Sequence, residues 1–178
     1  MYKRQDIIRE AFYIANEGRK GPVLIDIPKD ITGALMVYEK KEPKKVVNHN
    51  PKGINEEIAA AAELIKNAEK PFIYAGGGVV SADATEEMAE FARKVDAPVS
   101  LSLMGQCALD NTKDCYIGML GMHGTKTAAM TLSECDLMIV LGSRFSDRVL
   151  CNAKTFAKDK KIIHIDICLL YTSPSPRD

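Results

Sequence analysis

Gly142-Ser143-Arg144-Phe145-Ser146-Asp147-Arg148 places two guanidinium groups and a carboxylate within one short segment. Guanidinium forks match phosphate or carboxylate oxygens, so the segment points to recognition of an anionic group. A surface ion-pair cluster is the alternative. Gly76-Gly77-Gly78 is a second candidate. Glycines after a strand let the backbone approach a ligand, and a helix start offers N–H groups to a phosphate. A tight turn without a ligand asks for the same glycines. Met122-His123-Gly124-Thr125 is a polar turn before a helix. His123, beside two glycines, is a better ligand candidate than His49 in a polar stretch or His164 inside a strand. No Ser/His/Asp or Cys/His order, metal-ligand spacing or Walker loop accompanies them, so no residue is assigned a catalytic or metal-binding role.

Elements that would position these residues follow from periodicity. Ile7, Ile8, Ala11, Phe12 and Ala15 recur at helical spacing, and Gly18 ends that helix. Pro22-Val23-Leu24-Ile25-Asp26-Ile27-Pro28 reads as a buried strand. Residues 33–52 are rich in Lys, Glu, Pro and Asn without periodicity and read as a linker. Beyond it, Ile54 to Ala68 is helical, Pro71 to Ala75 is a strand, Ser81 caps a second helix over Met88 to Val95, and Pro98 to Leu101 is a strand. Asp136 to Leu141 and Lys161 to Ile167 are further strands.

Alternating strands and helices imply parallel pairing, and near-continuous apolar strands imply cover on both faces. The expected class is therefore α/β: a Rossmann-like open parallel sheet with helices on both faces, truncated. Ligands bind such sheets beyond the carboxyl ends of the strands. That rule gathers Gly76 to Gly78, Ser102 to Gly105, Gly142 to Arg148 and Asp166 onto one rim. The second strand ends in Leu101-Ser102-Leu103 without a carboxylate for a ribose, which disfavours an NAD-dependent dehydrogenase.

Bulk properties narrow the class. Lys+Arg and Asp+Glu are balanced at 24 each, which argues against nucleic acid as a partner. Five scattered cysteines without a C-x-x-C pair argue against a disulfide framework and fit a reducing cytoplasm. No apolar stretch approaches the roughly 18 residues of a membrane span. The tail 168–178, Cys-Leu-Leu-Tyr-Thr-Ser-Pro-Ser-Pro-Arg-Asp, stands where a sixth strand and helix are expected. It resembles translated adapter DNA, a natural Pro-rich terminus being the alternative.

Taken in order, the motifs resemble a known family. Gly18-Arg19-Lys20-Gly21-Pro22-Val23-Leu24-Ile25-Asp26-Ile27-Pro28-Lys29-Asp30 resembles the end of the pyrimidine-binding domain of acetohydroxyacid synthase (acetolactate synthase), a thiamine-diphosphate enzyme. Leu103-Met104-Gly105, Leu120 to Thr125, Gly142 to Val149 and His164 to Ile167 resemble its middle domain. The resemblance implies the end of the first domain over 1–32, the linker over 33–52, an incomplete FAD-binding central domain over 53–167, and a non-native tail over 168–178. It implies FAD contacts from Arg19, Gly76, Gly77, Gly78, Ser102, Leu103, Met104, His123, Gly124, Gly142, Ser143, Arg144, Asp166 and Ile167. Lys29, Met122, Asp147 and Arg148 would face the substrate channel.

The parent enzyme would decarboxylate pyruvate on thiamine diphosphate and join the two-carbon unit to a second 2-oxo acid, pyruvate or 2-oxobutyrate, in branched-chain amino-acid synthesis. Its activating glutamate would lie upstream, and its diphosphate and Mg²⁺ site downstream, so the chain alone would be inactive. The expected parent is a cytoplasmic homodimer or homotetramer with a small regulatory subunit. Ser146 stands where the family's R-F-D-D-R pattern has its first aspartate, Lys20 replaces a proline, Ser102 a threonine, and Gln106-Cys107 a glycine-containing pair. The flavin-independent catabolic branch, pyruvate oxidase or glyoxylate carboligase types, and a non-catalytic nucleotide-binding module are the alternatives.

Overall fold

The computed structural model describes residues 3–18, 20–35, 37, 40, 55–150 and 156–167. Arg19, most of the expected linker and the tail from Cys168 lie outside them. The chain divides into two compact units, Met1–Lys52 and Gly53–Asp178.

In the first unit, helix α1 spans Lys3–Asn16 and α2 spans Lys29–Gly33. Ala11 is the buried residue of the α1 apolar stripe, and Gly18 follows it at φ 54°, the left-handed conformation that closes a helix. The Arg4 guanidinium donates to the carbonyls of Ile31 and Ala34, so it ties α1 to the end of α2. The strand expected over 22–28 does not form: these residues carry no ladder, and Leu24 is 94% exposed. Apolar composition makes a strand only where a neighbouring strand takes up its N–H and C=O groups. Pro22 and Pro28 each lack a donor, and no strand of this unit pairs with the segment among the described residues.

The second unit is an α/β layer structure. Strands β1 (Pro71–Ala75), β2 (Val99–Leu101), β3 (Tyr116–Met119), β4 (Leu137–Leu141) and β5 (Lys161–Ile165) form one parallel sheet in the order β3-β2-β1-β4-β5. Helices α3 (Asn55–Lys66), α4 (Gly77–Ser81), α5 (Thr85–Val95), α6 (Lys126–Glu134) and α7 (Asp147–Leu150) connect and cover it. Side-chain alternation divides each strand between two cores. Ile73, Ala75, Val99, Leu101, Leu137, Ile139 and Ile163 face one core, with Leu64 and Ile65 of α3 and Met88 and Ala92 of α5. Phe72, Tyr74, Met138 and Val140 face the other, with Ala128 and Leu132 of α6 and Val149 of α7. Cover on both faces is the reason the central strands read as unbroken apolar runs.

Two local expectations need correction. Ser81 does not cap the second helix. It is the last residue of α4, and α5 begins at Thr85 after Ala84, with no side-chain cap. Asp83, at φ 55°, makes the turn between the two helices. Strand β3 is an addition. Gly118, at φ 99°, interrupts its apolar pattern, and its register against β2 shifts between Val99 and Leu101.

The amino edge of the sheet is stitched by Asp136. Its carboxylate accepts from the amides of Glu69 at 2.7 Å and Lys70 at 3.0 Å, and its carbonyl accepts from Lys161 at 3.1 Å. The Glu69 amide, followed by that of Lys70, holds the carboxyl below its ordinary value of 3.8. A depressed folded-state value contributes stability that is present above the ordinary carboxylate range and is lost as pH falls through the folded value. Asp136→Ala is therefore expected to lower the melting temperature at pH 7 and to flatten the acid limb of a melting-temperature profile. An unchanged acid limb in the variant would remove Asp136 from that role.

Candidate functional site

The strand order 3-2-1-4-5 makes β1 the strand where the chain's progress across the sheet reverses. In such sheets the crevice beyond the carboxyl ends of the strands at the reversal is where ligands bind. The turns that leave β1, β2 and β4 meet there. Ser102 N donates to Ala75 O at 2.9 Å, Gly76 N to Leu141 O at 2.9 Å, and Gly78 N to Gly142 O at 2.8 Å. Gly142 N in turn donates to Ile165 O at 2.8 Å and brings in the end of β5. Gly76 to Gly78, Ser102 to Gly105, Gly142 to Arg148 and Asp166 thus share one edge of the sheet.

The structure shows what requires glycine at the tight turn. Two of the three amides in the Gly76 to Gly78 turn are occupied by carbonyls of the β4 turn, and Val79 N donates to Gly76 O at 3.2 Å. With five residues, α4 is too short to present a row of free amides to a phosphate. What requires glycine here is space. A Cβ on Gly76 would lie 2.4 Å from Gly142 O, and one on Gly78 would lie 2.6 Å from the Cα of Gly142. Gly142 itself sits at φ 55°, and its Cβ would lie 2.7 Å from the Cα of Gly78. At Gly77 the nearest neighbours of a Cβ are the Cβ and carbonyl of Met104, both at 3.1 Å.

Hydroxyls reinforce this edge from below. Tyr74 is fully buried, and its phenol is pushed up by burial, opposed by hydrogen bonds with the side chains of Ser143 and Ser102. One β1 side chain therefore links the ends of β4 and β2. Ser102 Oγ also accepts from Gly105 N at 3.1 Å and fixes the 3-10 turn Leu103–Gly105. Neither Tyr74 nor His164 stands out by residue type in the sequence. A two-residue count back from Asp166 places His164 on the same face of the last strand, which is the signal available for it. His164 Nε2 lies 2.8 Å from Ser143 O and 3.9 Å from the Asp166 carboxylate.

The outward groups are polar and apolar in turn. Arg144 is exposed, and its guanidinium makes no hydrogen bond or ion pair to another described residue. Leu103 is 72%, Met104 80% and Met122 65% exposed, unusual for side chains of that size. Met122 N donates to Arg148 O at 2.9 Å, so the turn holding His123 and Gly124 leans on α7, which carries Asp147 and Arg148. His123 is exposed in that turn, and Ile167 is exposed past β5. Lys29 lies in the first unit, at the start of α2. Two surface clefts, of about 550 and 670 Å³, flank α5 and hold none of the expected site residues. Among the described residues no cluster of His, Cys, Asp and Glu could hold a metal ion, and no helix is long and apolar enough to cross a membrane.

Residues 58–169 match the central domain of thiamine pyrophosphate enzymes. The chain belongs to the thiamine pyrophosphate enzyme family. The match takes in the whole sheet and the edge described above. Over 165 residues the chain is 42% identical to the acetolactate synthase large subunit of Parasynechococcus marenigrum (strain WH8102), covering 90% of this chain and 27% of that protein. It is 40% identical over 172 residues to the acetolactate synthase large subunit of Haemophilus influenzae (strain ATCC 51907 / DSM 11121 / KW20 / Rd), covering 93% of this chain and 30% of that one. With the acetolactate synthase of Arthrospira platensis it shares 44% over 168 residues, 90% of this chain and 29% of the relative. The chain thus spans less than a third of the length of these relatives. The resemblance to the acetolactate synthase large subunit holds along nearly the whole chain.

The glycine interlock has a measurable consequence. Gly142→Ala would force an L-residue into a left-handed conformation at about 1–2 kcal/mol and press its Cβ on the Gly78 backbone at about 1–3 kcal/mol more. A loss of roughly 2–5 kcal/mol in denaturant unfolding is expected. Gly33→Ala, where a Cβ meets nothing within 4 Å, should stay within about 0.5 kcal/mol. Equal effects of the two substitutions would refute the interlock.

Proposed function

We propose that the carboxyl edge of this sheet binds FAD in the full-length protein, and that the protein is an acetolactate synthase. The observation that carries the reading is the edge itself: an unpartnered guanidinium at Arg144, the Asp166 carboxylate, and the exposed apolar groups of Leu103, Met104 and Met122 lie around the switch point. The residues fit the group. A guanidinium suits a pyrophosphate or a ring carbonyl, a carboxylate accepts from ribose hydroxyls, and methionine and leucine side chains cover a planar ring. Glycine at position 77 keeps the turn low beside Met104. The similarity to acetolactate synthases from three organisms supports the same assignment.

In this reading Gly76 to Gly78, Ser102 to Met104, His123, Gly124, Gly142 to Arg144, Asp166 and Ile167 form the flavin side. Met122, Asp147 and Arg148 face the 2-oxo acids. Thiamine diphosphate, held with Mg²⁺ by other parts of the protein, supplies the carbanion stabilisation that decarboxylation needs. The net reaction joins two 2-oxo acids with loss of CO2 and no net electron transfer. The task of this edge is therefore to hold and orient its ligand. A cytoplasmic assembly of two or four large subunits with a small regulatory subunit belongs to the same proposal. The 178-residue chain by itself is expected to form no acetolactate from pyruvate with thiamine diphosphate, Mg²⁺ and FAD.

Flavin titration of the full-length protein decides the assignment. Arg144→Ala should weaken FAD binding by about tenfold or more, the usual cost of a charge-assisted hydrogen bond. Arg148→Ala, on the helix that follows, should change FAD affinity less and act mainly on the Michaelis constant for pyruvate. Equal FAD affinity in the wild type and Arg144→Ala would remove Arg144 from the site. No flavin uptake by the wild type would place the protein in the flavin-independent branch.

A further inference from the structure

Arg144 leaves the sheet from a dipeptide that is gripped on three backbone atoms. Gly142 N donates to Ile165 O at 2.8 Å, Gly142 O accepts from Gly78 N at 2.8 Å, and Ser143 O lies 2.8 Å from His164 Nε2. The first two are backbone pairs that any sequence with this fold would make. The third depends on one side chain. Its geometry follows from the strand: His164 pairs with Val140 on β4, and alternation points its ring along the face that carries the β4 turn.

A carbonyl oxygen only accepts, so Nε2 must carry the proton. The bond is available to the neutral Nε2–H tautomer and to the imidazolium alike. The Asp166 carboxylate lies 3.9 Å from the same nitrogen. One residue past Arg144 the loop returns to the same ring: Phe145 meets His164 edge-on, with ring centroids 5.1 Å apart, and Phe145 meets Phe156 at 5.8 Å. The carbonyl before Arg144 and the side chain after it therefore both rest on His164.

We propose that His164 is a positioning residue that sets the direction in which Arg144 projects from the sheet edge, by donating its Nε2 proton to Ser143 O and packing against Phe145. The effect on ligand binding rests on the flavin reading above; the latch itself does not. His164 touches no ligand in this account. It removes the freedom of the loop that would otherwise have to be lost when Arg144 engages an anion.

Two substitutions in the full-length protein separate the donor from the bulk. Glutamine at 164 keeps an N–H donor of similar reach, and leucine keeps the volume without a donor. His164→Gln is expected to bind FAD within about twofold of the wild type, and His164→Leu about fivefold more weakly, the range of one lost neutral hydrogen bond. A purely structural role would not separate the two variants in this way. FAD affinity in His164→Leu equal to that of the wild type, or in His164→Gln as weak as in His164→Leu, overturns the proposal.

Hydrogen exchange provides the readout that needs no flavin. The amides of Gly142 and Ser146 should exchange about fivefold faster in His164→Leu and near the wild-type rate in His164→Gln. Unchanged exchange in His164→Leu overturns the latch. If the wild type takes up no flavin, the flavin reading falls and the exchange measurement alone decides the role of His164.

Discussion

Where β1 and β4 end, two turns pass so closely that no side chain fits between them. Gly76, Gly78 and Gly142 meet backbone to backbone, and two amide-to-carbonyl bonds close the contact. The rest of the edge depends on this crossing. It fixes the height of the β1 turn beside Met104, it fixes the start of the loop that carries Arg144 and Arg148, and through Gly142 N it fixes the end of β5. Amides that satisfy neighbouring carbonyls give the turn rigidity and are not available to a ligand.

The side chains at the two ends of the sheet differ. At the amino edge polar groups are consumed internally. Asp136 takes the amides of Glu69 and Lys70, and Lys160 Nζ takes the carbonyls of Ser133 at 2.8 Å and Cys135 at 2.7 Å. At the carboxyl edge an arginine and three large apolar side chains are left facing outward. The parallel strand order puts the reversal of the chain at that same end.

Much of this was legible in the sequence, for identifiable reasons. Strands β1, β4 and β5 are short apolar runs covered on both faces, so their signal is strong, and the residues after them fall on one edge by the geometry of parallel sheets. Four things were not legible. The segment 22–28 has strand composition, yet pairing is a property of neighbours and cannot be read from one segment. Strand β3 has four residues with Gly118 among them, too short and too irregular for periodicity to register. The close packing behind the glycines was not visible: a close approach of two backbones and a close approach of a ligand ask for the same residue, and only the position of the Gly142 backbone shows the first. His164 escaped for a related reason. Its partner is a carbonyl, which every residue owns, so no residue type announces the contact.

An exposed guanidinium is well hydrated, and exchanging water for an anion gains little unless the donor is already aimed. Arg144 meets that condition unevenly. Its own side chain is exposed and unpartnered among the described residues, while the residues on both sides are buried or packed: Ser143 is 5% exposed, and Phe145 lies between the rings of His164 and Phe156. The cost of ordering the backbone is met in folding, and only the rotamers of one long side chain are left to settle on binding. Such an arrangement lowers the ordering cost of engaging an anion. In the proposed reading that anion belongs to a resident cofactor.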